Sequence, residues 1–221
     1  MKRLLLVIVF ALSANPVFAS MMTYDPALLQ DFDLLWETPA GASDSFSGFD
    51  AHGNLSIDLS LEPAIFAVGV RRDADFSQYS GIELTINNTG DIAIGSTLML
   101  VTEDSQGELN LFVNQPTQIQ ALGNERLTFD FSNAGHLFSI NNLFASGFIF
   151  THETTNVAVT DLDRVVAFGF GLGYGAMGAA NVRASSESIN INIPHGHVPV
   201  PATLMLILGG LLGLALSTRK K

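Results

Sequence analysis

Carboxylates stand two residues apart at Asp73-Ala74-Asp75 and at Asp161-Leu162-Asp163. At that spacing both acids of a pair fall on one face of an extended strand, or turn inward together from a loop. Hard oxygen ligands of this kind suit calcium, so Asp73, Asp75, Asp161 and Asp163 are the candidate ligands of a structural calcium ion. The glycine and distal glutamate of a helix–loop–helix calcium site are missing, which excludes that motif. The competing reading is plainer: these are solvated loop acids on an acidic surface. Glu103-Asp104 carries the same two readings.

Sugar chemistry is the second candidate. Aromatic faces stack on the apolar faces of pyranose rings, and the chain has one tryptophan and three tyrosines. Trp36, Tyr79 and Tyr174 are therefore the candidate sugar-binding residues, although a lone tryptophan is otherwise a core residue. Glycoside hydrolysis would need two carboxylates held about 5 to 9 Å apart, a separation that depends on the fold and not on spacing along the chain. No nucleophile elbow with a Ser-His-Asp order occurs, and no His-rich metal motif. His52, His136 and His152 are scattered, and His195-Gly196-His197 falls in the expected linker, next to Pro194. Gly171-Leu172-Gly173-Tyr174-Gly175-Ala176 formally fits G-x-G-x-x-A, but the βαβ unit that gives that pattern its meaning is missing. Gly169 to Gly178 is instead expected to be a tightly turned loop, open to close backbone approach. No catalytic residue and no cofactor other than calcium is expected, and the chain reads as non-enzymatic.

The elements that must position these residues follow period two almost throughout. Leu55, Ile57, Leu59 and Leu61 alternate with polar residues; so do Ile82, Leu84 and Ile86; Leu109, Leu111 and Val113; Leu127, Phe129 and Phe131; Ile189, Ile191 and Ile193. More continuous apolar runs at 65–70, 92–101, 147–150 and 165–170 read as central strands. Turn residues at 88–91, 104–107, 123–124 and 133–135 separate them. Tyr24 to Trp36 is expected to hold one helical turn or an opening strand. About nine short strands at this spacing predict an all-β domain, an antiparallel β-sandwich of jelly-roll type, over residues 20–193.

Of the 221 residues, every one of the 21 acids lies between Ser20 and His197, where the only cations are Arg71, Arg72, Arg126, Arg164 and Arg183. Five arginines against 21 acids leave a formal charge of −16 on that segment, which repels phosphate backbones and excludes nucleic acid as a partner. There is no cysteine, so no disulfide supports the fold.

Both ends carry different chemistry. Lys2 and Arg3, the apolar run 4–12, and Val17-Phe18-Ala19 have the anatomy of a signal peptide, residues 1–19, cut by signal peptidase between Ala19 and Ser20. A linker over 194–201 leads into 202–221, where an uncharged stretch ends in Arg219-Lys220-Lys221. That stretch is shorter than the roughly 20 apolar residues of an ordinary transmembrane helix. Its basic end would stay cytoplasmic, leaving the domain outside. A proline-rich start, a short glycine-and-leucine helix and a basic end resemble the PEP-CTERM sorting signal read by the membrane enzyme exosortase. The motif falls on Pro199, Val200, Pro201 and Ala202, with Val200 where the family usually has glutamate. The resemblance implies transient anchoring in the inner membrane through the C-terminal helix, then transfer to the cell surface or extracellular polysaccharide matrix. A plain C-terminal membrane anchor is the competing reading.

A second resemblance concerns the domain. Asp75, Ser77 and Tyr79, followed by Asn88-Thr89-Gly90, are similar to the D-x-S-x-Y and N-x-G segment of galactose-binding-like jelly rolls, and 161–171 resembles a late strand of the same domains. Many bacterial carbohydrate-binding modules belong to that group, which implies extracellular polysaccharide as a partner. The expected role is a non-enzymatic surface or matrix protein that associates with polysaccharide. An adhesive scaffold without a ligand site and a polysaccharide-active hydrolase are the alternatives.

Overall fold

The computed structural model describes residues 20–140, 150–175, 183–184 and 187–194. The expected signal helix with Ala19, and the expected C-terminal helix with Pro199, Val200, Pro201 and Ala202, lie outside the described residues. Among the described residues no helix is long and apolar enough to cross a membrane.

The chain opens with β1 (Ser20–Thr23), a single helical turn α1 (Pro26–Leu29), β2 (Asp33–Thr38), β3 (Ser43–Phe46), β4 (Asn54–Leu59) and the two-residue β5 (Leu61–Glu62). Three long strands and a hairpin follow: β6 (Ala64–Ala74), β7 (Tyr79–Asn88), β8 (Ile94–Glu103) and β9 (Leu109–Val113). Then come β10 (Thr117–Ile119), β11 (Asn124–Asp130), β12 (His136–Ile140) and β13 (Phe150–Thr155). A 3₁₀ turn at Leu162–Arg164 leads into β14 (Val165–Tyr174), β15 (Arg183–Ala184) and β16 (Ser188–Asn192). Tyr24 to Trp36 thus holds both the helical turn and a strand, the turn capped where Asp25 Oδ1 accepts from the Leu28 amide at 2.7 Å.

Two sheets form a sandwich. One runs β3-β4-β16-β7, with β11 on the far edge of β7 and β1 beside the first half of β7. The other runs β13-β12-β9-β8-β14-β6-β2, with β10 on the start of β8. The three most apolar sequence runs, now β6, β8 and β14, lie side by side in its middle, as strands buried on both faces must. The expectation of a purely antiparallel sandwich fails at one pair: β1 runs parallel to β7, Met22 facing Ile82. After β1 the chain leaves through α1 for the other sheet, so no hairpin dictates its direction against β7.

Leu55, Ile57 and Leu59 of β4, Ile82, Leu84 and Ile86 of β7, and Ile189 and Ile191 of β16 meet Phe66, Val68, Leu98, Leu100, Phe168 and Phe170 from the facing sheet. Each such side chain contributes about 1.5–3 kcal/mol by leaving water. Tyr24 and Phe32, from the opening segment, pack edge-on at 5.1 Å and close one side of this core against Phe168. The Tyr24 hydroxyl, fully buried, donates to the Gly169 carbonyl at 3.3 Å, and burial pushes its pKa far above the usual value. The alternation in β9 faces the other way: Leu111, flanked by Leu109 and Val113, joins Leu35, Met99, Val101 and Ala167 in a second apolar layer on the outer face of the eight-stranded sheet.

The expected loop from Gly169 onward is instead strand as far as Tyr174. Gly169 pairs directly with Gly69 of β6, and a methyl group on Gly169 would lie 2.6 Å from the Gly69 Cα. The glycines are there because two backbones approach closely within a sheet, not because the chain turns.

Candidate functional site

The inward aliphatics of β4, β16 and β7 leave a regular set of polar residues on the opposite face. Strand register then places them in rows. Asn54, Asn192, Asn87 and Asn124 face one another across β4, β16, β7 and β11. Ser56 stands opposite Asn190, and Asp58 opposite Ser188. Ser45 of β3 extends the last row.

Hydrogen bonds fix these side chains in one direction. Asn87 Nδ2 donates to Asn192 Oδ1 at 3.3 Å, Asn192 Nδ2 to Asn54 Oδ1 at 2.9 Å, and Asn54 Nδ2 to Asp50 Oδ2 at 2.9 Å. The run ends on a carboxylate, which polarises every amide before it. Asn192 Nδ2 also reaches the His52 carbonyl at 3.0 Å. The Asn54 amide bonds, with the His52 backbone N–H, hold the Asp50 carboxyl below its usual pKa. In the next rows Ser56 Oγ donates to Asn190 Oδ1 at 2.8 Å, while Ser45 and Ser188 donate to the two oxygens of Asp58 at 2.6 and 2.8 Å and lower its pKa too. Where the β3–β4 loop rises beside this face, Ser47, Asp50, Asn54, Ser56, Thr89 and Asn190 line a pocket of about 390 Å³.

The residues singled out from sequence are distributed elsewhere. Asp73 and Asp75 do come beside Asp161 and Asp163, because the Phe76 amide donates to the Leu162 carbonyl at 2.7 Å. Asp75 Oδ1 is occupied by the Ser77 hydroxyl and amide at 2.6 and 2.9 Å, bonds that lower its pKa. Among the described residues no group of three or more His, Cys, Asp or Glu gathers at metal-binding range. Asp104 likewise caps its own turn, accepting from the Gln106 and Glu108 amides, and Arg164 pairs with Glu103 at 3.3 Å.

The three aromatics do not form one platform. Trp36 is half-buried in β2 against the outer apolar layer. Tyr79 packs edge-on to Phe76 at 5.8 Å, near the start of β14, whereas Tyr174 ends β14, about 30 Å along the strand. Gly171 and Gly173 help floor a depression of about 330 Å³ with Ile65, Thr97 and Pro116 on its walls. The Tyr174 hydroxyl donates to Glu187, and burial, then Glu187 and Glu62, raise its pKa. Among the described residues the carboxyls with a displaced pKa, Asp50, Asp58, Asp75 and Asp104, are displaced downward, the opposite of what a general acid needs.

The asparagine rows were visible in the sequence only as the polar halves of alternating strands; which of them stand side by side depends on register, and β7, β11 and β16 are far apart in the chain.

No family model matches this chain. No curated protein matches it either. Among solved structures, one described as "Structure of PfGH50B" is similar at 12% identity, over 74% of this chain and 21% of that chain, with a TM-score of 0.37. A likeness that loose carries no argument about fold or activity.

Proposed function

We propose that this is an exported, non-enzymatic protein of the cell surface or extracellular matrix, sorted by an exosortase-type system, whose sandwich associates with polysaccharide. The observation that carries the ligand reading is the polar face of the six-stranded sheet. Its hydroxyls and amides are held in place by one another, and the adjoining pocket is lined by Ser47, Asp50, Asn54, Ser56, Thr89 and Asn190. Preorganised polar groups suit a ligand made of hydroxyls, because little ordering is left for binding to impose. Carboxylates held ionised at Asp50 and Asp58 accept hydrogen bonds from hydroxyls but are poor proton donors, which favours binding over hydrolysis.

Export rests on the two chain ends. Cleavage after Ala19 would leave the whole of β1, which begins at Ser20, in place beside β7. The tail motif at Pro199 to Ala202 would supply the sorting step, with signal peptidase and an exosortase-like enzyme as successive partners and the inner membrane as a transient one. A jelly-roll relationship to galactose-binding-like domains fits the two-sheet architecture. The second reading, a hydrolase, has Glu62, Tyr174 and Glu187 in its favour.

Intact-mass measurement of protein recovered from the matrix of producing cells tests the sorting. Loss of residues 1–19 and of the C-terminal segment is expected. Recovery only in the inner membrane with Arg219-Lys220-Lys221 retained would overturn it in favour of a plain anchor.

A further inference from the structure

We propose that the asparagine ladder and the two rows beside it form the contact surface for an uncharged, extended glycan that lies across the strands. This rests on the polysaccharide reading above and adds the chemical class of the ligand and its footprint.

Neighbouring strands are about 4.8 Å apart. That is close to the length of one pyranose unit in an extended glycan. A chain laid perpendicular to the strands would therefore meet one polar side chain per sugar: Asn54, Asn192, Asn87 and Asn124 in turn. An amide offers a donor and an acceptor on one plane, the pattern that matches a pair of vicinal hydroxyls. The ladder spends only part of that capacity internally. Asn54 and Asn87 each use one N–H in the donor run, and each amide oxygen has a second lone pair. Because the run ends on ionised Asp50, the amides are polarised in one sense, which strengthens further bonds accepted or donated along it.

Charge chooses the class of glycan. Asp50 and Asp58 flank the rows, both held ionised, in a domain with 21 acids and five arginines. A polyuronate or sulfated chain would bring its own negative charges against them, whereas a neutral chain would donate hydrogen bonds from its hydroxyls to them. The rows carry no aromatic ring, so contact is with hydroxyl edges and not with ring faces. Each sugar then adds little, and useful affinity depends on a long chain covering several strands at once.

The test is affinity electrophoresis of the full chain, in mild detergent, through gels holding β-glucan, galactomannan or dextran, with alginate as the acidic comparison. Retardation by at least one uncharged glycan, and none by alginate, is expected. Asn192→Ala, which removes the middle of the ladder, should raise the dissociation constant about tenfold, the equivalent of one or two hydrogen bonds. Ser56→Ala deletes one hydroxyl outside the donor run, with its single bond to Asn190, and should weaken retardation while the protein still melts cooperatively within a few degrees of the parent, so a folding defect in the first variant does not decide the matter. If uncharged glycans retard the wild type and both variants equally, the ladder is overturned while polysaccharide association stands. Retardation by alginate alone overturns the neutral class, and retardation by no glycan overturns both readings.

Discussion

Gly169 of β14 and Gly69 of β6 face each other in register, with backbones so close that a methyl group on Gly69 would lie 2.9 Å from the Gly169 Cα. The same β14 face carries Gly173, where an added Cβ would meet nothing within 4 Å. Gly169→Ala should therefore destabilise by about 3 kcal/mol or abolish folding, because backbone and not a flexible side chain must move. Gly173→Ala should stay within about 0.5 kcal/mol of the parent. Urea unfolding of both variants checks this; equal midpoints would mean that the close approach does not limit the sheet.

Thr102, in β8, is fully buried, and its hydroxyl has no hydrogen-bond partner among the described residues. Valine has nearly the same shape without the oxygen. Thr102→Val should stabilise by about 1 kcal/mol, since a buried hydroxyl without a partner is the costly case. A lower urea midpoint for the variant would reveal a partner for the hydroxyl.

Much of this fold is legible in the chain because sheet faces write themselves as alternation. Leu55-Ile57-Leu59 and Ile189-Ile191 point inward as the pattern requires, and their polar neighbours point out. The pattern misleads in β9, where Leu111 looks like core and faces the outer layer while Phe112 faces the core. In a sheet apolar on both faces, period two no longer says which face is which. Gly169 to Tyr174 misleads for another reason: a glycine that admits a neighbouring backbone and one that admits a turn look alike in sequence. The ladder was hidden because pairing Asn54 with Asn192 takes a register between residues 138 apart.

Asn88 is the buried polar anchor of one end of the sandwich. Its Nδ2 donates to the carbonyls of Ile92 and Gln120 at 2.7 and 3.0 Å, and its Oδ1 accepts from the Gly90 amide at 3.1 Å. Asn88→Ala would remove three hydrogen bonds to the backbone, but the Gly90 amide keeps the Asn190 carbonyl and the Gln120 carbonyl keeps the Gly123 amide, so only the Ile92 carbonyl loses its side-chain donor outright and the cost should be about 1–2 kcal/mol. A loss below about 0.5 kcal/mol would show that water replaces the side chain there. Chemical denaturation of the variant distinguishes the two.

Asp104 gives the cleanest pH test, because its work is local. Its Oδ1 accepts from the Gln106 and Glu108 amides at 2.8 and 2.9 Å, closing the β8–β9 hairpin, and those bonds hold its pKa below the ordinary value, with Arg164 adding a smaller effect. A carboxyl with a lowered folded pKa contributes stability that is complete above its unfolded value, about 3.9, and is lost as pH falls through the folded value. Asp104→Ala lacks that contribution at every pH. The melting temperature of the variant should therefore lie below the parent's at pH 7, keep that gap down to about pH 5, and converge on the parent toward pH 2. General relief of repulsion among the other acids on acidification acts on both proteins, so it moves both curves and leaves the gap to Asp104. A gap of constant size between pH 7 and pH 2 would mean that the turn depends on the shape of the side chain and not on its charge.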